Sequence, residues 1–294
     1  MWVQSSQIVS RFDDPGCRTR LSSTLPHSVF QGRLLKKCLS EISTADFTPA
    51  IPSHPLQSPT LLIEQTAPVV DRQTRLIPRK LNQDITSQIK SRCRDEHTTV
   101  HGALCAAIIL ACVKQVSSQE PVLVSCSSSV NLRASCFPPV ASEQLGCFIS
   151  NITTTHHAEP NANFWELARE CRSNINQLVH DKVPHYQASN AELLNKYQSS
   201  FLAQLAEHNM GRNTTAHVSN LGQWNLNTAY GSIRLESFYF SVGLSLVGSC
   251  FWLGTTTVNQ QLCCSFTYTD PLISPKTAEA LANSVINILC NAAS

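Results

Sequence analysis

The segment PHSVFQG, residues 26–32, contains the arrangement in this chain that best suits acid–base chemistry. His27 is followed by three spacer residues, and Gln31 and Gly32 come next. A histidine that is neutral at one ring nitrogen can take a proton from a hydroxyl or an amine and so make it a stronger nucleophile. Two interpretations follow for His27: a general base at a reaction centre, or an ordinary loop histidine that precedes a helix.

Other histidines offer less to a reaction centre. His101 falls in the segment 100–116, which is apolar on nearly all sides and predicts a buried helix. A satisfied core histidine is the favoured interpretation for His101, and a substrate contact is the alternative. His156 and His157 stand ahead of Glu, Pro and Asn, a composition that predicts a turn rather than a second reaction centre.

Several other site classes find no support in the sequence. The chain has 13 cysteines but no CxxC pair, so the short ligand spacing of a zinc site is absent. Most cysteines stand in apolar surroundings, which predicts buried free thiols in a reducing compartment. No GxSxG, GxGxxG or Walker segment occurs, which excludes the motif-based assignments to serine hydrolases, dinucleotide enzymes and P-loop proteins.

Composition predicts a packed globular protein. Hydrophobic residues make up 42% of the 294 residues, charged residues 14%, and the formal net charge is +2. No Lys/Arg cluster indicates a nucleic acid or an anionic membrane as partner. The longest apolar run, at 103–113, is well short of the ~20 residues that a membrane span needs. The first residues lack the pattern of a signal peptide, so we expect a cytoplasmic protein.

The pattern of elements predicts an α+β fold. Residues 47–59 hold four prolines and read as an extended linker, so we divide the chain into residues 1–75 and 76–294. In the second part, periodicity and turn residues predict strands at 75–81, 121–132, 145–155, 216–222, 232–241, 249–257 and 261–268. They predict helices at 82–95, 100–116, 163–178, 192–208 and 275–291; the caps are Asn82 or Asp84 for the first, Asn161 or Asn163 for the third, and Ser274 for the last.

Six segments, taken in order, resemble the C-terminal half of the condensation-type acyltransferases. This superfamily holds the polyketide-associated acyltransferases, the alcohol acetyltransferases and the condensation domains, and the likeness is greatest to the dimycocerosyl transferase branch. The segments are RDEHTTVHGALCAAIILA, SSSVNLR, EQLGCFIS, FWELAREC, VSNLG and FTYTDPLIS. The resemblance implies a chloramphenicol-acetyltransferase-like lobe that normally joins a second lobe across a tunnel. Because this chain is short for the family, we expect the N-terminal lobe to be truncated.

The resemblance also implies roles for residues 26–32. The family motif reads HHxxxDG, so His27 matches the catalytic base, Gly32 matches the glycine, and Pro26 and Gln31 replace the first histidine and the aspartate. The family aspartate pairs with an arginine of the second lobe, for which Arg133 is the candidate. A neutral Gln31 cannot balance that charge, and an uncompensated buried charge costs about 3–5 kcal/mol. The alternative for Arg133 is a satisfied arginine at a strand end.

The family tunnel implies roles for Ser219, Asn220 and Gly222 in the segment SNLG. A small residue there leaves room for a thioester, and an amide or hydroxyl can donate a hydrogen bond to a developing oxyanion. An ordinary passage from strand to turn is the alternative interpretation.

The function implied by the resemblance is acyl transfer from a thioester to an alcohol or amine. The donor would be acyl-coenzyme A or an acyl carrier protein, and no metal or redox cofactor is implied. A catalytically inactive binding or scaffold module, or a fragment of a longer acyltransferase, is the alternative. Loss of the first lobe would expose apolar surface, so we expect self-association or a partner chain on the exposed face.

Overall fold

The structure is a computed structural model that describes residues 61–116, 120–136, 139–141, 144, 146–184, 198–225 and 227–294. The predicted base His27, with Gln31, Gly32 and the whole predicted linker, lies outside the described residues. The division at residue 75 therefore stays a prediction, and the first described strand already begins ahead of it, at Gln73.

Six long strands form one mixed sheet in the order β1-β8-β7-β4-β2-β3. The pairs β1–β8, β8–β7 and β2–β3 are antiparallel, whereas β7–β4 and β4–β2 are parallel. A short hairpin of β5 and β6 stands apart from this sheet. The strands are β1 Gln73–Leu81, β2 Val122–Asn131, β3 Ile149–Ala158, β4 Arg212–Gln223, β5 Ala229–Tyr230, β6 Ile233–Arg234, β7 Gly248–Val258 and β8 Gln261–Asp270.

In the described residues, five α-helices accompany the sheet, and side-chain caps start four of them. Asn82, Thr99, Asn163 and Ser274 each accept a hydrogen bond from a backbone N–H in the first turn of the following helix. These residues satisfy N–H groups that have no partner inside a helix. The helices are α1 Gln83–Asp95, α2 Val100–Gln115, α3 Phe164–His180, α4 Gln198–Glu207 and α5 Pro275–Ala293.

The helix α2 forms the centre of the hydrophobic core. Its residues from Gly102 to Val113 are all buried, and it packs against the sheet, α3 and α5. Gly102 is required where α2 meets α3, because a Cβ there would lie 2.7 Å from the Ala168 carbonyl oxygen. Helices that are apolar on all sides are buried in this way, so the prediction for residues 100–116 is confirmed.

The two faces of the sheet differ in composition, because side chains alternate along each strand. We call the side covered by α2 and α5 the helix face; it carries the apolar residues Cys126, Ala216, Val218, Phe251, Leu253 and Phe266. We call the other side the polar face; it carries Ser127, Ser129, Asn151, Thr153, His217, Ser219, Trp252, Ser265 and Thr267.

A buried arginine anchors the segment that approaches the polar face. Arg212 donates hydrogen bonds to the carbonyl oxygens of Leu244 and Ser249 and to the Thr269 hydroxyl. Burial and the nearby charge of Arg72 lower the pKa of Arg212 to about 10. A little earlier in the chain, the Ser241 hydroxyl lies 2.9 Å from the Thr267 hydroxyl of the polar face. Backbone carbonyls therefore take the place of a carboxylate in holding this segment.

Most predicted elements are confirmed with small shifts at their ends, and two predictions are wrong. His156 and His157 lie within β3 rather than in a turn, because they pair with Val124 and Leu123 across an antiparallel ladder. The predicted strand at 232–241 reduces to the two-residue β6, and the chain after it has no sheet partner among the described residues. The first prediction was wrong because the polar residues around His156 and His157 suggested a turn. The second was wrong because the apolar residues at 232–241 suggested a strand, although they have no strand to pair with among the described residues.

Nearly all described cysteines are free and buried, as their apolar surroundings predicted; Cys147 is exposed and Cys290 is half-buried. Within the described ranges, no single helix has the length and apolar character to cross a membrane, although α1 and α2 together, bent by 103°, meet the length and composition test.

Candidate functional site

The parallel strands at the centre of the sheet bring two of the predicted site segments to one edge. Because β2, β4 and β7 run in the same direction, their carboxyl ends lie side by side. Arg133 follows the end of β2, and Ser219, Asn220 and Gly222 occupy the end of β4. This edge is therefore the candidate functional site.

Arg133 holds the loop that follows β2. Its guanidinium donates to three carbonyl oxygens, at 2.9–3.5 Å, and lies over the ring of Phe148, 4.7 Å from the ring centroid. The carbonyls belong to Ala141, Gln144 and Gly146. These contacts fit the interpretation as a satisfied strand-end arginine, and the predicted contact with Gln31 involves a residue outside the described ranges.

Ser219 and Asn220 point to opposite faces of the sheet, although they are neighbours in the chain. Ser219 pairs with Gly254 and Asn220 with Thr255 in a regular part of the β4–β7 ladder, so their side chains alternate. Ser219 therefore shares the polar face with His217, two residues earlier. Asn220 lies on the helix face, where its Oδ1 accepts a hydrogen bond of 2.9 Å from the Gly222 N–H.

A small cavity opens beside Asn220 and Gly222. It has a volume of about 110 Å³, and α1 contributes Ile89 and Lys90 to its wall. Gly222 has a φ of +75°, a conformation that L side chains rarely adopt, while a Cβ there would meet no atom within 4 Å. The backbone conformation, and not lack of space, is therefore the reason for glycine at this position.

The polar face carries a hydrogen-bonded cluster that spans β3, β2 and β4. The Ser129 hydroxyl contacts both Asn151 Oδ1, at 3.1 Å, and His217 Nε2, at 2.9 Å. Next to this group, the hydroxyls of Ser127 and Thr153 lie 2.8 Å apart. Together these contacts hold a histidine in a defined position on the sheet.

His217 is uncharged at neutral pH. Its side chain is half-buried, and burial, followed by the charge of His101, lowers the pKa of His217 to about 4. A neutral imidazole has one N–H donor and one lone-pair acceptor. Such a group can accept a proton or a hydrogen bond from a hydroxyl or an amine.

A row of aromatic rings runs away from His217. Trp252 lies 6.3 Å from the imidazole, and Phe240, Phe238 and Trp224 follow, with neighbouring ring centroids 5.0–6.3 Å apart. Gly254 allows the indole of Trp252 to lie across β7, because a Cβ at this position would be 2.3 Å from the ring. The polar cluster thus stands at one end of an apolar wall.

His101 occupies the other side of the sheet, near the start of α2. Its Nε2 lies 2.9 Å from the hydroxyl of Ser128, the neighbour of Ser129 in β2. The contact fits the favoured prediction of a satisfied core histidine. In the part of the chain that the structure describes, no three His, Cys, Asp or Glu residues come together in a way that could hold a metal ion.

Sequence patterns did not predict a site role for His217, Ser129 or Asn151. One signal was present: in the segment AHVSNLG, His217 stands two residues before Ser219, so both face the same side of a strand. The run of serines at 127–129 was a second, weaker signal. Neither revealed that the two strands are neighbours.

The fold is that of the condensation and CoA-dependent acyltransferases. Polyketide synthase associated protein 5 from Mycobacterium tuberculosis is 16% identical, with a TM-score of 0.53 over 89% of this chain and 58% of that one. The condensation domain of the Monacolin K polyketide synthase MokA is 13% identical, with a TM-score of 0.56 over 88% and 57%. TRI3 trichothecene 15-O-acetyltransferase from Fusarium sporotrichioides is 12% identical, with a TM-score of 0.60 over 74% and 47%.

The chain spans about half the length of these solved structures. A comparison with curated protein sequences found no match. The family described as phthiocerol/phthiodiolone dimycocerosyl transferase C-terminus matches residues 68–247, which is more than half of the chain. The chain therefore belongs to this acyltransferase family and covers its C-terminal lobe.

Proposed function

We propose that the protein transfers an acyl group from a thioester, of coenzyme A or of a carrier protein, to an alcohol or an amine. The observation that carries this proposal is the family match over residues 68–247. The polar face of the sheet supports it, since the hydroxyl of Ser129, the amide of Asn151 and the neutral imidazole of His217 meet there. No metal or redox cofactor takes part in the proposed reaction.

The proposed base is His27, through its likeness to the family motif. Its neutral imidazole takes the proton of the acceptor hydroxyl or amine as the oxygen or nitrogen attacks the thioester carbonyl. The tetrahedral intermediate then collapses, the carbon–sulfur bond breaks, and the thiol leaves with the proton that His27 had taken. A base of this kind accelerates such a step by roughly 10²–10⁴.

The strand end would stabilise the intermediate. Ser219 lies on the polar face with His217, and its hydroxyl is the group that would donate to the oxyanion. Asn220, whose Oδ1 is used by the Gly222 N–H, lines the small cavity on the helix face together with Gly222. We assign Arg133 to the loop after β2, which it anchors, and Gln31 to the junction with the segment of His27.

We also propose that another chain, either a second copy or a partner protein, covers part of the surface. Leu221, Tyr230 and Ile233 are exposed to 56–60%, at the end of β4 and in the β5–β6 hairpin. Large apolar side chains that remain this accessible often mark contact surfaces. Light scattering of the purified full chain is expected to report a mass above that of one chain, and a monomer at all concentrations would refute self-association.

The test of the reaction uses the purified full chain with a panel of acyl-coenzyme A donors, alcohols and amines. Mass spectrometry of the products is expected to detect an ester or an amide. The variant His27→Ala should lower the rate by roughly 10²–10⁴, whereas His180→Ala, at an exposed position of α3, is the matched control.

Two results would contradict parts of the proposal. An unchanged rate in His27→Ala would show that another group is the base. No transfer from any donor, by a folded protein, would favour the binding or scaffold module.

A further inference from the structure

The cluster of Ser129, Asn151 and His217 is built by three different strands. Ser129 of β2 pairs directly with Asn151 of β3, and Ser127 pairs with His217 of β4. The imidazole Nε2 lies 2.9 Å from the hydroxyl of Ser129, which is two residues beyond Ser127 in β2. Since the ladders on both sides of β2 hold these backbones, the imidazole cannot leave its place without breaking a hydrogen bond.

Counting protons along the cluster determines which ring nitrogen of His217 is free. Asn151 Oδ1 can only accept, so the single hydroxyl proton of Ser129 is donated to it. The Ser129 oxygen must then accept a hydrogen bond from the N–H at His217 Nε2. The imidazole is therefore protonated at Nε2, and Nδ1 carries the lone pair.

The Nδ1 atom of His217 has no hydrogen-bond partner among the described residues. Among the residues that the structure describes, His217 makes no hydrogen bond other than that to Ser129. The neighbouring Ser127 and Thr153 satisfy one another, and Trp252 lies on the other side, with an apolar ring. A lone pair in a half-buried site next to an aromatic wall selects a ligand that brings a hydrogen-bond donor.

We propose that His217 is a binding residue for the acyl acceptor and that its Nδ1 accepts a hydrogen bond from the acceptor's hydroxyl or amine. Ser129 and Asn151 are positioning residues, because they set the tautomer and the orientation of the imidazole. This inference rests on the proposed acyl transfer and adds to it a residue that recognises the acceptor rather than the thioester.

Two amide variants separate binding through Nδ1 from a structural role through Nε2. The side chain in His217→Gln reaches the position of Nε2 and can keep the contact with Ser129, but it leaves no acceptor at Nδ1. The side chain in His217→Asn is shorter and places its amide oxygen near Nδ1. Loss of one hydrogen bond to the acceptor should raise its KM about tenfold in His217→Gln, with less effect in His217→Asn and an unchanged KM for the thioester.

The opposite order, in which Gln preserves the KM of the acceptor and Asn raises it, would overturn the inference, because it would mean that only the contact with Ser129 matters. An equal KM in both variants and in the original protein would overturn it as well. Each variant is first compared with the original protein in urea unfolding. If one fails to fold, the ¹⁵N signal of His217 Nδ1 in the original chain, recorded with and without n-octanol, decides: the inference requires it to move.

A binding measurement separates failure of this inference from failure of the proposed function. Calorimetry with n-octanol and n-octylamine, without a thioester, needs no reaction. Weaker binding in His217→Gln, in a chain that transfers no acyl group, would support the acceptor site and reject the transferase. Acyl transfer with unchanged acceptor binding and KM in His217→Gln would reject the acceptor site and leave the transferase in place.

Discussion

The two faces of the central sheet come from the same strands but have different compositions. The helix face is apolar, with Phe251 stacked on Phe266 at a ring distance of 5.7 Å, and it forms the core with α2 and α5. The polar face carries hydroxyls, an amide and an imidazole, many of them buried as well. Burial of apolar groups stabilises a fold, whereas burial of polar groups is tolerated only with hydrogen-bond partners.

The two faces of the same strands therefore contribute differently to the protein. The helix face supplies most of the apolar core, whereas the polar face carries most of the hydrogen-bonding side chains at a cost in stability. The buried hydroxyl of Ser265 on the polar face has no partner among the described residues, which shows that the cost is not fully offset. Sites that depart from optimal packing are expected where a protein works.

The largest effect is expected on the helix face. Phe251 is fully buried, so Phe251→Ala should lower the free energy of unfolding by about 3–5 kcal/mol, through lost burial and a cavity. Urea unfolding measures the change, and Leu221→Ala, at a position 58% exposed, is the control. A loss below about 1 kcal/mol would mean that this face is not the core, and the comparison of the two faces would fail.

A pH-dependent effect is expected on the polar face. The pKa of His217 is lowered from 6.5 to about 4, so the unfolded chain binds more protons than the folded one between these values. Stability should therefore rise with pH across this window, be complete above about pH 6.5, and be lost as the pH falls through 4. The contribution is up to about 3 kcal/mol, at 1.36 kcal/mol per pKa unit.

The measurement compares urea unfolding of the original chain and His217→Gln at several pH values. The difference between their stabilities should change between pH 7 and pH 4, because only the original chain has this group. Parallel pH curves would show that His217 titrates alike in the folded and unfolded states and is not buried as described.

A smaller effect is expected where the aromatic row meets the polar face. A Cβ at Gly254 would overlap the ring of Trp252, whereas a Cβ at Gly243 would meet nothing within 4 Å. Gly254→Ala should therefore cost about 1–3 kcal/mol by overpacking and shift the tryptophan fluorescence, and Gly243→Ala should change neither. Equal effects of the two substitutions would show that the indole does not lie across β7.

Much of the fold could be predicted from local patterns. Asn82, Asn163 and Ser274 cap the helices that their positions suggested, since a cap depends on residues only three or four apart. The strand ends were less predictable, because they depend on pairing with another strand. Pairing with β2, for example, extends β3 through His156 and His157. A ladder partner is not visible in the local sequence.

The candidate site, too, could be predicted only in part from the sequence. The amino-acid sequence by itself determined which segments resemble a family. It also determined which side chains share a face of a strand, because alternation along a strand needs no partner. Only the tertiary structure decided that Ser129 meets His217, 88 positions away, and Asn151, 22 positions away. Strand order and register depend on packing of the whole lobe, so the hydrogen-bonded cluster on the polar face arises only once the sheet is assembled.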